Sequence, residues 1–148
     1  MNILGGFFAF GRFKLISTIS QMVNGDKDGI AMKGTMAVSC TVGDALYMSS
    51  TGYNKAKADA VATLPCVAIC NETGTGEREI HTFGPIRNTA WNWTPASGFS
   101  GLLWVSDATA GLITQTPPVT VGKWRQCIGY VIDADTIFFY PNYAIVEI

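Results

Sequence analysis

From Thr35 onward the hydrophobic positions fall in short runs rich in Val, Ile, Thr, Tyr, Phe and Trp, separated by turns that carry Gly, Asn, Asp or Pro. This texture predicts strands at Met36 to Cys40, Ala45 to Ser49, Cys66 to Asn71, Arg78 to Phe83, Gly101 to Ser106, Leu112 to Gln115, Gln126 to Ile132, Thr136 to Tyr140 and Ala144 to Ile148. No sustained 3.6-residue period runs through them, so the fold class expected is all-β.

The polar stretches between the runs have turn chemistry. "NETGTGERE" (Asn71 to Glu79) reads as a hairpin tip, because its glycines supply positive φ and its polar side chains face water. A phosphate loop would need a Lys-Ser or Lys-Thr pair after the glycines and a helix behind them, and neither is present. "DADT" (Asp133 to Thr136) is a second tight turn. "NKAKADAVATLP" (Asn54 to Pro65) lacks β-branched character and is expected to form an irregular crossover with one or two helical turns at most. The opening segment supports two readings. Leu15, Ile16, Ile19, Met22 and Val23 fit a helix face, whereas its β-branched residues and glycines fit an extended arm. The division expected is an N-terminal arm over residues 1–34 and one β-domain over 35–148.

Two parts of the domain echo each other, one within 43–71 and the other within 101–133. Leu46-Tyr47-Met48-Ser49 matches Leu103-Trp104-Val105-Ser106, Gly52 matches Gly111, and Cys66-Val67 matches Cys127-Ile128, in the same order. A duplicated β-motif has a physical use. One hairpin cannot bury its apolar face alone, while two facing copies close a sandwich or a barrel.

Composition narrows the function. At 148 residues the chain is long enough for one core, and 48% hydrophobic against 14% charged residues is too apolar for disorder. Such low charge suggests that part of the apolar surface is covered by another chain. Ten Lys+Arg against eleven Asp+Glu leave no basic field for nucleic acid. Arg12 and Lys14 interrupt the most apolar run, "MNILGGFFAFGRFKLI", so no membrane span is expected, and that run lacks the basic start and small-residue cleavage site of a signal peptide.

Cys40, Cys66, Cys70 and Cys127 lie in apolar runs and read as buried thiols, and a CxxxC spacing without a second ligand pair does not make a zinc site. Cys66 and Cys70, four apart, would share a strand face. A hydrolase would depend on the one histidine, His81, which on a strand shares a face with Glu79 and Phe83 and reads as packing rather than a base. Asp133 and Asp135 sit in a turn. Asn24, Asp26 and Asp28 followed by Gly29 resemble the first half of a calcium loop, but the closing glutamate position holds Thr35, and an exposed charged turn is the reading preferred. No catalytic residue, cofactor or firm metal site is expected.

A run of motifs carries a likeness: "VGDALYMSSTG" (Val42 to Gly52), "LPCVAIC" (Leu64 to Cys70), "AWNWTP" (Ala90 to Pro95), "LLWVSDATAGLITQTPP" (Leu102 to Pro118), "RQCIGYVIDADTIFFYPN" (Arg125 to Asn142) and a closing "YAIVEI". In this order they resemble the capsid decoration, or cement, proteins of tailed bacteriophages and related small virion structural proteins. The resemblance covers about Val42 to Ile148, and the segment through Ser39 departs from it. It implies a small β-sandwich or tulip-like barrel, a trimer, and the major capsid protein as partner on the capsid exterior. A phage tail-fibre or receptor-binding module is the alternative. Trp104 is expected in the core. Phe7, Phe8, Phe10 and Phe13 of the arm and the pair Trp91 and Trp93 are the candidate interface residues, because rigid aromatic rings supply contact area at low entropic cost.

Overall fold

The computed structural model describes residues 27–148, the side chain of Phe99 excepted. The chain there is all-β, with two short 3-10 turns at Val61–Thr63 and Gly98–Gly101 and no α-helix among the described residues. Eleven strands follow in order: β1 Ile30–Cys40, β2 Ala45–Ser49, β3 Gly52–Lys55, β4 Ala68–Cys70, β5 Gly74–Arg87, β6 Leu102–Val105, β7 Ile113–Thr114, β8 Trp124–Arg125, β9 Cys127–Val131, β10 Thr136–Phe139 and β11 Val146–Glu147. β1 begins at Ile30, so residues 30–34, expected in the arm, belong to the sheet. Residues 1–26 of that arm lie outside the described residues.

The strands make two units joined by one long strand. In the first, the order β1-β3-β2-β4-β5 is closed by a further β1–β5 pairing into a five-stranded barrel. It is mixed, because β1 runs parallel to β3 through Met36 and Tyr53 while the other pairs are antiparallel. In the second, β10, β9, β6 and β7 continue outward from the far half of β5 as an antiparallel sheet. β8 and β11 form a separate two-stranded ribbon.

β5 changes partners at a crossing built from two glycines. A Cβ on Gly84 (φ +105°) would stand 2.3 Å from the Asp28 carbonyl oxygen, and one on Gly29 (φ +107°) 2.2 Å from that of Phe83. Only glycine allows the two backbones to approach so closely in this conformation. Before the crossing β5 pairs with β1 and β4; after it, Gly84 to Arg87 pair with β10. Of the hairpin tip expected over Asn71 to Glu79, residues 71–73 connect β4 to β5, while residues 74–77 are strand ahead of the strand expected from Arg78, because β1 supplies partners from Cys40↔Gly74 to Thr35↔Glu77.

Alternation along the strands feeds two cores. Met36, Leu46, Tyr53, Ala68, Cys70 and Ile80 fill the barrel. Their neighbours Ala45 and Ile69 point out of it, into a second core shared with Ile86, Leu103, Val105, Ile113, Ile128, Ile137 and Phe139 of the sheet. Strands covered on both faces account for apolar runs such as "CVAIC". Cys66 precedes β4 and joins the shared core while Cys70 joins the barrel, so the two do not share a face.

The duplicated motif is visible as topology. β3-β2-β4-β5 and β7-β6-β9-β10 have the same order, with a hairpin followed by a strand on its other side. The copies are used differently: the first curls into the barrel with β1, and the second stays open against it. Leu46 accordingly points into the barrel, while its counterpart Leu103 points into the shared core.

The copies are also stapled together. The Gly111 carbonyl accepts from the Ala45 amide and its amide donates to the Ala56 carbonyl, both at 2.8 Å. Gln126, fully buried, accepts from the Cys66 amide at 2.6 Å and donates to the Cys66 carbonyl at 2.9 Å. Its side-chain amide replaces a strand as partner for that backbone.

Candidate interaction surface

His81 is fully buried and pairs across the sheet with Ala31 on one side and Ile69 on the other. Its Nε2 lies 2.8 Å from the Gly84 carbonyl oxygen, and its ring sits 6.4 Å from that of Phe139. Burial holds its pKa below the ordinary histidine value, an effect the Gly84 hydrogen bond partly offsets. It braces the β5 crossing and has no cleft in which to reach a substrate.

The other polar candidates are also structural. Asp135 Oδ2 accepts from Arg87 Nη2 at 2.7 Å, and Asp133 Oδ1 accepts from the Asp135 amide at 2.9 Å, closing the β9–β10 turn. Asp28 Oδ1 accepts from the Gly29 amide at 2.9 Å. Asn24 and Asp26 lie outside the described residues, and no group of three or more His, Cys, Asp or Glu that could hold a metal occurs among the described ones.

All four cysteines are free thiols. Burial pushes Cys66 up to about 12 and Cys70 up to about 11, so neither supplies a thiolate near neutral pH. The "GD" of "VGDALY" also has a mechanical reading. Asp44 Oδ2 accepts from the Thr41 amide at 2.8 Å and pairs with Lys55 Nζ at 2.9 Å, which raises the Lys55 pKa. The carboxylate thus closes its turn and abuts Gly111 of the second motif.

Trp104 is buried, as expected. Trp91 and Trp93 have ring centroids 5.7 Å apart at 50° and pack, half-buried, against the shared core. The Trp91 amide donates to the Asn88 carbonyl and the Trp93 amide to the Ala134 carbonyl, so this segment is fastened to the β9–β10 turn. Phe7, Phe8, Phe10 and Phe13 lie outside the described residues.

Among the described residues a further exposed aromatic surface lies on the outer face of the second sheet. Tyr130 and Phe138 are register partners with rings stacked at 5.3 Å and 3°. Phe83 meets Phe138 and Tyr140 edge-on at 5.4 and 5.7 Å. Leu102 extends the row across from Tyr130, Pro85 lies across from Phe138, and Ile30 lies across from Phe83. Exposure remains high in this packed row: 37% for Phe83, 46% for Tyr130, 53% for Ile30 and 62% for Tyr140.

None of these residues is charged. A groove of about 630 Å³ adjoins the row, walled by Leu102, Cys127, Tyr130, Tyr140, Asn142 and Tyr143. Contiguous exposed apolar surface makes this row the candidate interaction surface. The lining of the groove supplies chiefly aromatic and apolar contact area.

Strand alternation could have located this face, since Phe138 and Tyr140 flank the inward Phe139. The bulge at Ile128 hid Tyr130. Leu103 pairs with Gly129 and Trp104 with Cys127, leaving Ile128 as the extra residue, and Ile128 faces in although Tyr130, two residues on, faces out. No helix among the described residues is long and apolar enough to cross a membrane. Comparison of the chain with family models, with curated proteins and with solved structures finds no match.

Proposed function

We propose that the chain is a virion structural protein that decorates a tailed-bacteriophage capsid and stabilises it by binding the major capsid protein lattice, as a homotrimer on the particle exterior. The reading begins from the ordered sequence signatures between Val42 and Ile148. The observation that carries it is the uncharged aromatic face of Phe83, Tyr130, Phe138 and Tyr140, which offers binding energy without catalytic machinery.

The signatures themselves have structural roles that suit such a part. The "GD" turn and the Gly111 turn dock the two motifs on each other, and Gln126 of "RQC" pins Cys66 of "LPC". Contacts of ordinary interface size, repeated over a lattice, stiffen a shell by avidity without any single strong site. The N-terminal phenylalanines and the Trp91–Trp93 pair are further contact residues in this reading.

Copy number per purified virion, measured by quantitative mass spectrometry, tests the proposal. A count comparable to that of the major shell protein is expected. A count of a few to some dozens would overturn the lattice role and favour the tail-fibre or receptor-binding alternative.

A further inference from the structure

The rings on the outer face of the second sheet hold one another in place. Tyr130 stacks on Phe138, and Phe83 meets Phe138 and Tyr140 edge-on. The run that follows β10 is fastened alongside β9: the Tyr140 amide donates to the Ile128 carbonyl and the Asn142 amide to the Cys127 carbonyl, both at 2.9 Å. Asn142 Oδ1 accepts from the Ala144 amide at 2.9 Å, which sets the turn that presents Tyr143. A surface fixed in this way loses little side-chain freedom when a partner covers it.

We infer that the partner is a second copy of this chain, with Phe83, Tyr130, Tyr140 and Tyr143 packed against the corresponding row of the neighbouring copy. The inference deepens the functional reading above at one point, the contact that joins the copies, and rests on that reading only in taking the chain to be an oligomer.

Area, charge and hydrogen-bonding capacity each favour this occupant. Tyr143 is 59% exposed and extends the row formed by Ile30, Phe83, Tyr130 and Tyr140. At the ordinary area of such side chains, these five leave roughly 500 Å² open on each copy. Two rows brought together bury roughly 1,000 Å², the area at which a specific interface begins. Neither the row nor the groove beside it holds a charged residue among the described ones, so copy meets copy without the like-charge repulsion that keeps most surfaces from packing on themselves. A net charge of -1 adds no long-range repulsion. Each tyrosine hydroxyl both donates and accepts, so Tyr130, Tyr140 and Tyr143 can satisfy one another across the contact. A foreign partner would have to bring a matching uncharged aromatic surface, and a second copy supplies one by identity.

Sedimentation equilibrium of the full chain tests this. The wild type is expected to sediment as a whole multiple of the chain mass, and the variant Tyr130→Arg, Tyr140→Arg as the single chain with an unchanged circular dichroism spectrum. A monomeric wild type, or a folded variant that keeps the wild-type mass, would overturn the inference. A monomer in solution combined with a shell-level copy number on the virion would sink this inference and leave the lattice reading intact; an oligomer joined through the row but present in few copies per virion would do the reverse.

A second measurement avoids the charged variant. The full chain with a benzophenone amino acid in place of Tyr140 is prepared as an equilibrated, equal mixture of ¹⁴N- and ¹⁵N-labelled protein and irradiated. Crosslinks from position 140 to peptides containing Phe83, Tyr130 or Tyr143 are expected to join the two isotopes. Crosslinks confined to a single isotope or to other surfaces, or none at all, would refute the assignment.

Discussion

His81 shows how a residue that reads as potential chemistry becomes architecture. Its sequence context excluded little, since a lone histidine in a strand can serve in a core or a cleft. What decided it was the β5 crossing, where Gly84 must present its carbonyl inward and the ring fills the space beside Phe139. The imidazole is held neutral by burial, with Lys27 adding to the effect and Glu79 and Asp28 opposing it. The sign of the pH dependence follows. An unfolded imidazole titrates near 6.5, and below that pH the unfolded chain takes up a proton that the folded chain resists. Stability from this site is complete above pH 6.5 and declines as the pH falls, by at most about 1.4 kcal/mol per pH unit. Urea unfolding of wild type and His81→Gln at pH 7.5 and 5.5 checks this: the wild type should lose more stability than the variant, which can still donate to Gly84. Equal losses would assign the acid sensitivity to other groups.

At the scale of elements, the sequence made the strand content and the repeat legible because both depend on local pattern. Ala45 to Ser49 was bounded correctly by its alternation and its flanking turns. β3 was not picked out as a strand of its own, because "GYNK" has a single apolar residue, and β8 was missed because its partner β11 is distant in sequence. The candidate interaction surface is less legible than the fold. Trp91 and Trp93, the most conspicuous residues by type, lean on the shared core, whereas the exposed row draws on Phe83, Tyr130 and Phe138 from three strands and on Tyr140, the residue after β10. Nothing in the local pattern states that β5 leaves the barrel to head a second sheet, which is what brings Phe83 beside Phe138. Gln126 gives no signal either, since a polar residue opening a predicted strand reads as its solvent-facing end. Its bidentate bond to Cys66 joins the two motifs, so Gln126→Leu should strand two buried backbone groups and cost about 2–4 kcal/mol. Chemical denaturation measures this directly, and a loss under half a kcal/mol would mean that the motifs hold together without that link.

For the molecule as a whole, barrel and sheet share one core and one strand. Ile86 and Ile69, which lie on opposite sides of the β5 crossing in the pairing pattern, belong to the same buried cluster. Neither unit can open without exposing apolar surface of the other, and residues 27–148 should therefore unfold in a single transition. Far-ultraviolet circular dichroism reports the strands of both units, and tryptophan fluorescence reports Trp104 of β6 together with Trp91, Trp93 and Trp124, which pack against the shared core. Coincident midpoints are expected; separated midpoints would show that the barrel survives loss of the sheet. The 14-residue β5 also determines how the molecule answers force. A pull on the outer face reaches the barrel along the axis of β5, across a ladder with β1 that runs from Ile30↔Phe83 to Cys40↔Gly74. Loaded lengthwise, those hydrogen bonds share the strain and must yield together, whereas a sheet hung from a strand's end would be unzipped one bond at a time.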